Sequence, residues 1–405
     1  MSITDVSPFE TESVSAELLE FRGRIREFAE EVVRPRALVN DQAPAEDFDW
    51  ELVRAGHDLG LFRLVVPKEF GGLGYGVMGV AIMMEELAAV DAATALLFGS
   101  TMLGQVPVLL SNDPQLQSRF LPMFAGDEPV LACNAITEDV AGCDLLIPEY
   151  AGCAREVMTA RRDGDHYVLN GRKRFINNAK VSTFGSVYAT IEGVDPADGL
   201  TAFMVSFDSD GVQRGPVADK MGYRACLGSE LLFHDVRVPA ENVVGGEGAG
   251  VIINVAQMNM ARATVAALST GIARGAFELA RNWCGERIQG GVPLYKHQFS
   301  ARKLAEMASK VEASRLLYLD AAEVADNEIP VPAYKPAVAK LFADRIAIEV
   351  ATEAMSLMGA RGYIREFGME KLVRESFGAR IYEGTPEVLA LAITESLYAD
   401  DDDDF

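Results

Sequence analysis

The residues best suited to chemistry lie near the C-terminus, in Arg374-Glu-Ser-Phe-Gly-Ala-Arg-Ile-Tyr-Glu-Gly-Thr-Pro-Glu387. At its centre Glu383 stands between Tyr382 and Gly384. A carboxylate shielded by apolar neighbours is a weaker acid and so a better base. Glycine lets a ligand approach the main chain, because no Cβ intervenes. Proton abstraction is the chemistry such a group can do. An ordinary glutamate ahead of a helix fits the same residues, with Thr385 as N-cap and Pro386 at the first helical position. The stretch alone does not separate the two readings.

The rest of the chain must position this group. With 405 residues, 49% of them hydrophobic, it has enough apolar material for two or three domains. A net charge of −23 opposes phosphate backbones and anionic membranes, so neither nucleic acid nor membrane is an expected partner. The five cysteines (Cys133, Cys143, Cys153, Cys226, Cys284) include no C-x-x-C pair, and the four histidines are scattered. That pattern points to free thiols in a reducing compartment and to no metal site. The acidic N-terminus lacks a signal or transit pattern, and no uninterrupted apolar run spans a bilayer, so a cytoplasmic protein is expected. The Asp400–Asp404 run reads as a solvated acidic tail, 399–405.

Residues 1–128 read as helical. Leu18, Phe21, Ile25, Phe28 and Val32 recur at helical spacing, and Arg34-Pro35 is expected to end or kink that helix. Val77 to Phe98 is apolar nearly all round and reads as one buried helix. From 129 to 245 short β-prone runs alternate with turn signals. Tyr167–Ile176 reads as a hairpin about an Asn170-Gly171 turn, and Phe203–Phe207 and Glu230–Val238 as further strands. From 246 to 398 long amphipathic patterns return, broken at Ile329–Pro336, and suggest a helical bundle. The predicted class is mainly α with a central β domain.

Four segments resemble the acyl-CoA dehydrogenase family. Ile136-Thr-Glu-Asp-Val-Ala-Gly-Cys-Asp144 is similar to its flavin-side loop, and Arg174-Phe-Ile-Asn-Asn178 to its Trp-Ile-Thr/Ser-Asn. Lys220–Pro239 is similar to its signature at the end of the β domain. On the helical side, Arg262, Glu286-Arg287…Gln298 and Ser356-Leu-Met-Gly-Ala-Arg-Gly362 match in part, and Tyr382-Glu-Gly-Thr385 matches the segment that holds the catalytic glutamate. The resemblance implies an N-terminal helical domain, a middle β-barrel domain, a C-terminal four-helix bundle, FAD as cofactor and a homotetramer or dimer. Glu383 would be the α-proton base. Thr137, Gly142, Cys143, Phe175, Asn177, Arg287, Gln298, Ser356, Gly359, Thr385 and Glu387 would contact FAD, with Arg287 and Gln298 reaching a neighbouring subunit's. Arg262, Asn259 and Gly384 would face the thioester and its carrier arm.

The implied reaction is α,β-dehydrogenation of an acyl-CoA to the trans-2-enoyl thioester, with an electron-transfer flavoprotein as acceptor. Some members place the base immediately before the arginine matched by Arg262; Ala261 excludes that here. Cys143, Asn177, Asn259 and Ser356 depart from the usual residues and suggest a divergent member. Alternatives are an acyl-carrier-protein dehydrogenase of secondary metabolism, an acyl-CoA oxidase, and an inactive structural subunit. Ala95 stands where decarboxylating, dicarboxylate-specific members carry an arginine, which disfavours a dicarboxylic substrate.

Overall fold

The computed structural model describes residues 14–154 and 158–399. The predicted acidic tail from Asp400 onward lies outside the described residues. The N-terminal part holds six main helices: α1 (Ala16–Phe28), α2 (Arg34–Gln42), α3 (Trp50–Asp58), α4 (Gly76–Ala88), α5 (Ala92–Leu110) and α6 (Pro114–Phe120). Eight strands follow: β1 (Ala132–Ala135), β2 (Thr159–Asp163), β3 (His166–Asn177), β4 (Phe184–Ile191), β5 (Leu200–Ser206), β6 (Val212–Val217), β7 (Gly228–Pro239) and β8 (Val243–Val244). The chain ends in α7 (Gly250–Glu286), α8 (Gln298–Asn327), α9 (Tyr334–Met358), α10 (Met369–Ser376) and α11 (Pro386–Tyr398). The sheet order is β6-β7-β3-β2-β4-β5-β8, with β1 lying parallel to β4.

Three local expectations change. Pro35 does not end its helix. A π-helical turn at Ala29–Val33 precedes it, and Pro35 sits in the first turn of α2, where its missing N–H costs nothing. The extra residue of that turn moves the buried position from Val32 to Val33. Val77–Phe98 is two helices rather than one, because Asp91 caps α5 by accepting from the Thr94 N–H at 3.1 Å. Asn170-Gly171 makes no hairpin turn: β3 runs through it, with Gly171 at φ +143° and the register to β7 shifting there. The Asn170 side chain instead accepts from the Asp235 N–H across the ladder, at 2.9 Å. The hairpin turn is Gly164-Asp165, between the paired Asp163 and His166.

The first and last thirds pack as one helical body. In α4, Glu85 and Glu86 are buried among arginines. Glu86 accepts from Arg22 (2.6 Å), Arg26 (3.0 Å) and Arg274 (2.9 Å), and Glu85 from Arg315 (2.6 Å) and the Tyr318 hydroxyl. Burial pushes Glu86 up, yet Arg274, Arg22 and Arg26 together hold it below the usual carboxylate range. Four helices are thereby tied to one another. Asp326, at the end of α8, accepts the Val77 and Met78 N–H groups at 2.6 and 2.9 Å and so caps α4 from a distant part of the chain. The helices α5 and α7 are long and apolar enough to cross a bilayer, but their most apolar windows are 83% and 78% buried inside the protein.

The α4–α7 contact depends on small residues. A Cβ on Gly275 would lie 2.2 Å from the Ala89 carbonyl oxygen, and one on Gly271 2.6 Å from that of Glu85. Both obstacles are backbone and cannot swing aside. Gly275→Ala should therefore cost about 1–3 kcal/mol by overpacking, read as a lower Tm in calorimetry. Gly23→Ala, on an exposed face of α1 with nothing near it, should raise stability slightly through helix propensity. Equal effects from the two changes would show that this helix pair is not tightly held.

Candidate active site

One cavity of about 300 Å³ lies where the three parts meet. From β1 and the loop after it come Asn134, Ile136, Thr137 and Gly142; from the end of β3, Phe175, Ile176 and Asn177; from α5, Ser100 and Leu103; from α7, Met258; and from the loop before α11, Ile381, Tyr382, Glu383 and Gly384. Six residues picked out in the sequence thus line one space: Thr137, Gly142, Phe175, Asn177, Glu383 and Gly384.

The wall formed by β3 is built by buried polar contacts. Lys173 is fully buried; its ammonium donates to Glu138 Oε1 at 2.7 Å and to the Ile136 carbonyl at 3.0 Å. Burial brings Lys173 down to about 8, against the opposing pull of Glu138. The Arg174 N–H donates to the Thr137 carbonyl at 2.9 Å, so β3 grips three successive residues of the loop, Ile136 to Glu138. Phe175 and Asn178 have φ +59° and +60°, a conformation that non-glycine residues rarely adopt. Asn178 donates to the Leu97 carbonyl (2.8 Å) and to Ser100 Oγ (2.6 Å), holding the end of β3 against α5. Between these anchors the Phe175 ring is 62% exposed, with the Arg174 guanidinium 4.9 Å from its centroid.

Glu383 has φ +55° and is followed by Gly384 at φ +98°. The residue as a whole is half-buried, but its Oε2 is sealed from water and accepts no hydrogen bond. Burial is the largest influence and pushes the carboxyl up to about 7; Lys340 and Arg262 pull the other way, and Asp344 adds to the rise. Arg262 is buried on α7, donates to Asn259 Oδ1 at 2.9 Å, and has a guanidinium nitrogen 3.7 Å from where a Cβ on Gly384 would stand. Asn259 also donates to the Val331 carbonyl at 3.0 Å. Between them these residues brace the loop that carries Glu383 and the Val331 segment.

Other predicted contacts lie elsewhere. Arg287, Gln298, Ser356 and Gly359 are exposed and none lines this cavity. Thr385 is the N-cap residue of α11, with Pro386 at its start, as expected. Glu387 is exposed in the first turn of that helix. The Gly142 N–H is taken by Asp144 Oδ1 at 2.6 Å, so a carboxylate holds the donor that the resemblance offers to a phosphate. The Cys143 side chain lies outside the described residues.

Sequence reasoning missed Ser100, Leu103, Asn134, Met258, Lys340 and Asp344. Lys340 and Asp344, an i,i+4 ion pair on α9, are both buried. Of Val338, Phe342, Ile346 and Val350, which recur at helical spacing on α9, only Ile346 and Val350 are fully buried. The deepest stripe runs through Ala337, Lys340, Ala343, Asp344 and Ala347. The run of alanines was the available signal, because small residues mark a helix face pressed closely against its neighbours.

The three parts of the fold each match a family model. Family models for the acyl-CoA dehydrogenase N-terminal, middle and C-terminal domains match residues 15–128, 133–236 and 246–398. The chain belongs to the acyl-CoA dehydrogenase family, an FAD-dependent group of flavoprotein oxidoreductases acting on CH–CH bonds. It is 34% identical over 374 residues to a cyclohex-1-ene-1-carbonyl-CoA dehydrogenase of Geobacter metallireducens, covering 92% of this chain and 96% of that protein. It is 33% identical to a short-chain-specific acyl-CoA dehydrogenase of Clostridium acetobutylicum, covering 93% and 97%. The structure of butyryl-CoA dehydrogenase from Megasphaera elsdenii superposes with a TM-score of 0.88 at 30% identity, covering 95% of this chain and 98% of that one.

The raised position of Glu383 has a consequence for stability that needs no substrate. The folded carboxyl ionises near 7, above its ordinary 4.5. The penalty for burying the charge is thus absent below about pH 4.5, grows between these values and is full above 7. Glu383→Gln should therefore raise stability at pH 8 by on the order of 1–3 kcal/mol and change it little at pH 4.5. Melting curves at the two pH values check this; an equal shift at both would place the cause outside ionisation.

Proposed function

We propose that this protein dehydrogenates a short or compact acyl thioester between Cα and Cβ, with Glu383 as the base. The observation that carries the reading is a carboxylate with one unanswered, water-free oxygen in the same cavity as Thr137, Phe175 and Asn177. A base needs an open lone pair and a pKa near the working pH, and Glu383 has both.

The residues on the opposite wall fit a flavin. Phe175 offers an exposed ring face, Thr137 and Asn177 offer polar side chains, and a Cβ on Gly142 would meet nothing within 4 Å, so the space beside it is open. Bound FAD supplies the acceptor for the hydride that leaves Cβ. Phe175 would cover one face of the ring system, and Thr137 and Asn177 would hydrogen-bond its polar edge. The Glu383 N–H would donate to the thioester carbonyl, stabilising the negative charge that develops there as the α-proton leaves. The Glu383 carboxylate receives that proton. Ser100, Leu103 and Met258 bound the acyl end. The cavity volume is at the small end for ligand sites and must hold both the ring edge and the acyl group, which favours short or compact acyl chains. The names of the Geobacter and Clostridium relatives accord with that. Ala95 supplies no cation for a second carboxylate.

By the family resemblance Arg287 and Gln298, both exposed, would reach a cofactor held by another copy of the chain, and a homo-oligomer is part of this proposal. A separate electron-carrier flavoprotein is the proposed acceptor.

Two outcomes test the reading. Glu383→Gln should retain FAD and bind acyl-CoA but lose anaerobic flavin reduction by at least about a thousandfold; near-normal bleaching would exclude Glu383 as the base. In the unaltered enzyme, reduction by an acyl-CoA panel should rise with pH through about 7 as the carboxylate ionises. A rate that falls over that range would contradict a base of this kind. A protein that binds no flavin, or whose flavin no acyl thioester bleaches, would overturn the whole assignment.

A further inference from the structure

Lys340 lies in the most buried stripe of α9 and has no exposed surface. An ammonium has three protons to give. Here one goes to Asp344 Oδ2 at 2.8 Å, one to the Ala379 carbonyl at 2.9 Å and one to the Gly384 carbonyl at 3.0 Å. The two carbonyls bracket Glu383. The other oxygen of Asp344 accepts from the Ser269 hydroxyl on α7 at 2.7 Å, so the counter-charge is anchored in a second helix.

We propose that Lys340 is the positioning residue of the base: it clamps the backbone on both sides of Glu383 and holds the carboxylate at the cavity wall without hydrogen-bonding to it. The inference rests on Glu383 being the base. An i,i+4 ion pair on a helix surface would be worth little, and a buried one is no bargain for stability compared with apolar packing. Two of the three protons, moreover, leave the helix altogether and go to the loop. The loop needs such a restraint, because Glu383 adopts φ +55°, a conformation that persists only when its surroundings enforce it.

The arrangement also separates charge from contact. The charged groups facing Glu383 are Lys340 and Asp344 from α9 and Arg262 from α7; beside it stand the Tyr382 phenol and, 6.2 Å from that ring, Tyr223. Burial keeps both phenols protonated. Lys340 favours the ionised carboxylate through space, while its protons are committed elsewhere. The base is therefore ionisable near neutrality and keeps one oxygen without a hydrogen-bond partner.

The test uses FAD-loaded protein with Lys340→Met, Asp344→Asn and Glu383→Gln, and butyryl-CoA, or whichever acyl-CoA reduces the unaltered flavin fastest, as probe. Flavin content, KM and the pH dependence of the reduction rate are measured. Lys340→Met should keep its flavin and a KM within about threefold, lose roughly 30- to 300-fold in reduction rate, and move the midpoint of the pH profile upward, because a nearby cation is gone. Asp344→Asn keeps an acceptor for Lys340 but removes an anion, so its midpoint should move downward.

A residue that only supports the fold would not shift the two midpoints in opposite directions. Reduction within threefold of normal in Lys340→Met, or midpoints that stay put or move together, overturns the inference. If Lys340→Met does not accumulate folded, Asp344→Asn decides alone: a downward midpoint supports the proposal and any other result defeats it. Normal reduction in Glu383→Gln would instead defeat the base assignment itself. An inactive Glu383→Gln beside a normal Lys340→Met defeats only the role of Lys340.

Discussion

A carboxyl group held away from water with one oxygen unanswered is costly, and the surrounding fold exists to hold it there. The cost appears twice, in the raised affinity of Glu383 for a proton and in its left-handed backbone. Neither survives in a loose loop. The loop from Gly378 to Thr385 is therefore fixed from several directions: Lys340 beneath it, Arg262 against Gly384, and the Tyr223 ring packed so closely on Gly378 that a Cβ there would come within 2.1 Å of it. The opposite wall has its own supports, Lys173 with Glu138 and Asn178 with Ser100. What faces what is settled by buried polar contacts, while apolar packing supplies the bulk of the fold.

Much of this could be read before any coordinates. The helical spacing of Phe21, Ile25 and Phe28, the β-prone middle and the Tyr382–Thr385 motif led to the fold class and to the residues of one cavity. The errors share a physical origin. Asn170-Gly171 has the chemistry of a turn, but the Asn170 amide found a partner on β7, and β3 stayed extended. Asp91 looked like a stray charge in an apolar run, while its local bond to the Thr94 N–H makes it a helix start. Pro35 looked like a stop, and a π turn absorbed it. Each outcome was decided by one hydrogen bond or one extra residue, which periodicity averages away. The burial of Lys340 and Asp344 was hidden for another reason. Their acceptors lie in segments far along the chain, and no local pattern reports them.

The departures from the usual family residues also gain a physical sense at one position. The family resemblance leads one to expect an acid where Asn259 stands. Its carbonyl oxygen accepts from Arg262 while its amide donates to the Val331 carbonyl. An ionised acid is acceptor-only and could do the first but not the second. Asn259 is thus a neutral bridge between α7 and the segment entering α9.

The pairing of α4 with α7, and the anchoring of Asp91, Asp41 and Val77 by Lys371, Arg374 and Asp326, join residues separated by 188 to 333 positions. Contacts of that span form late, because the chain entropy of closing them must be lost before they return anything. On the ribosome Glu86 already has Arg22 and Arg26 at hand, but Glu85 emerges without Arg274 and Arg315, and the apolar faces of the N-terminal helices are uncovered. The Glu85 charge must wait for the last third of the chain before it is neutralised. A nascent protein of this design has a long vulnerable interval during synthesis. Chaperone dependence and sensitivity to translation speed follow from the same helix contacts that make the finished enzyme rigid.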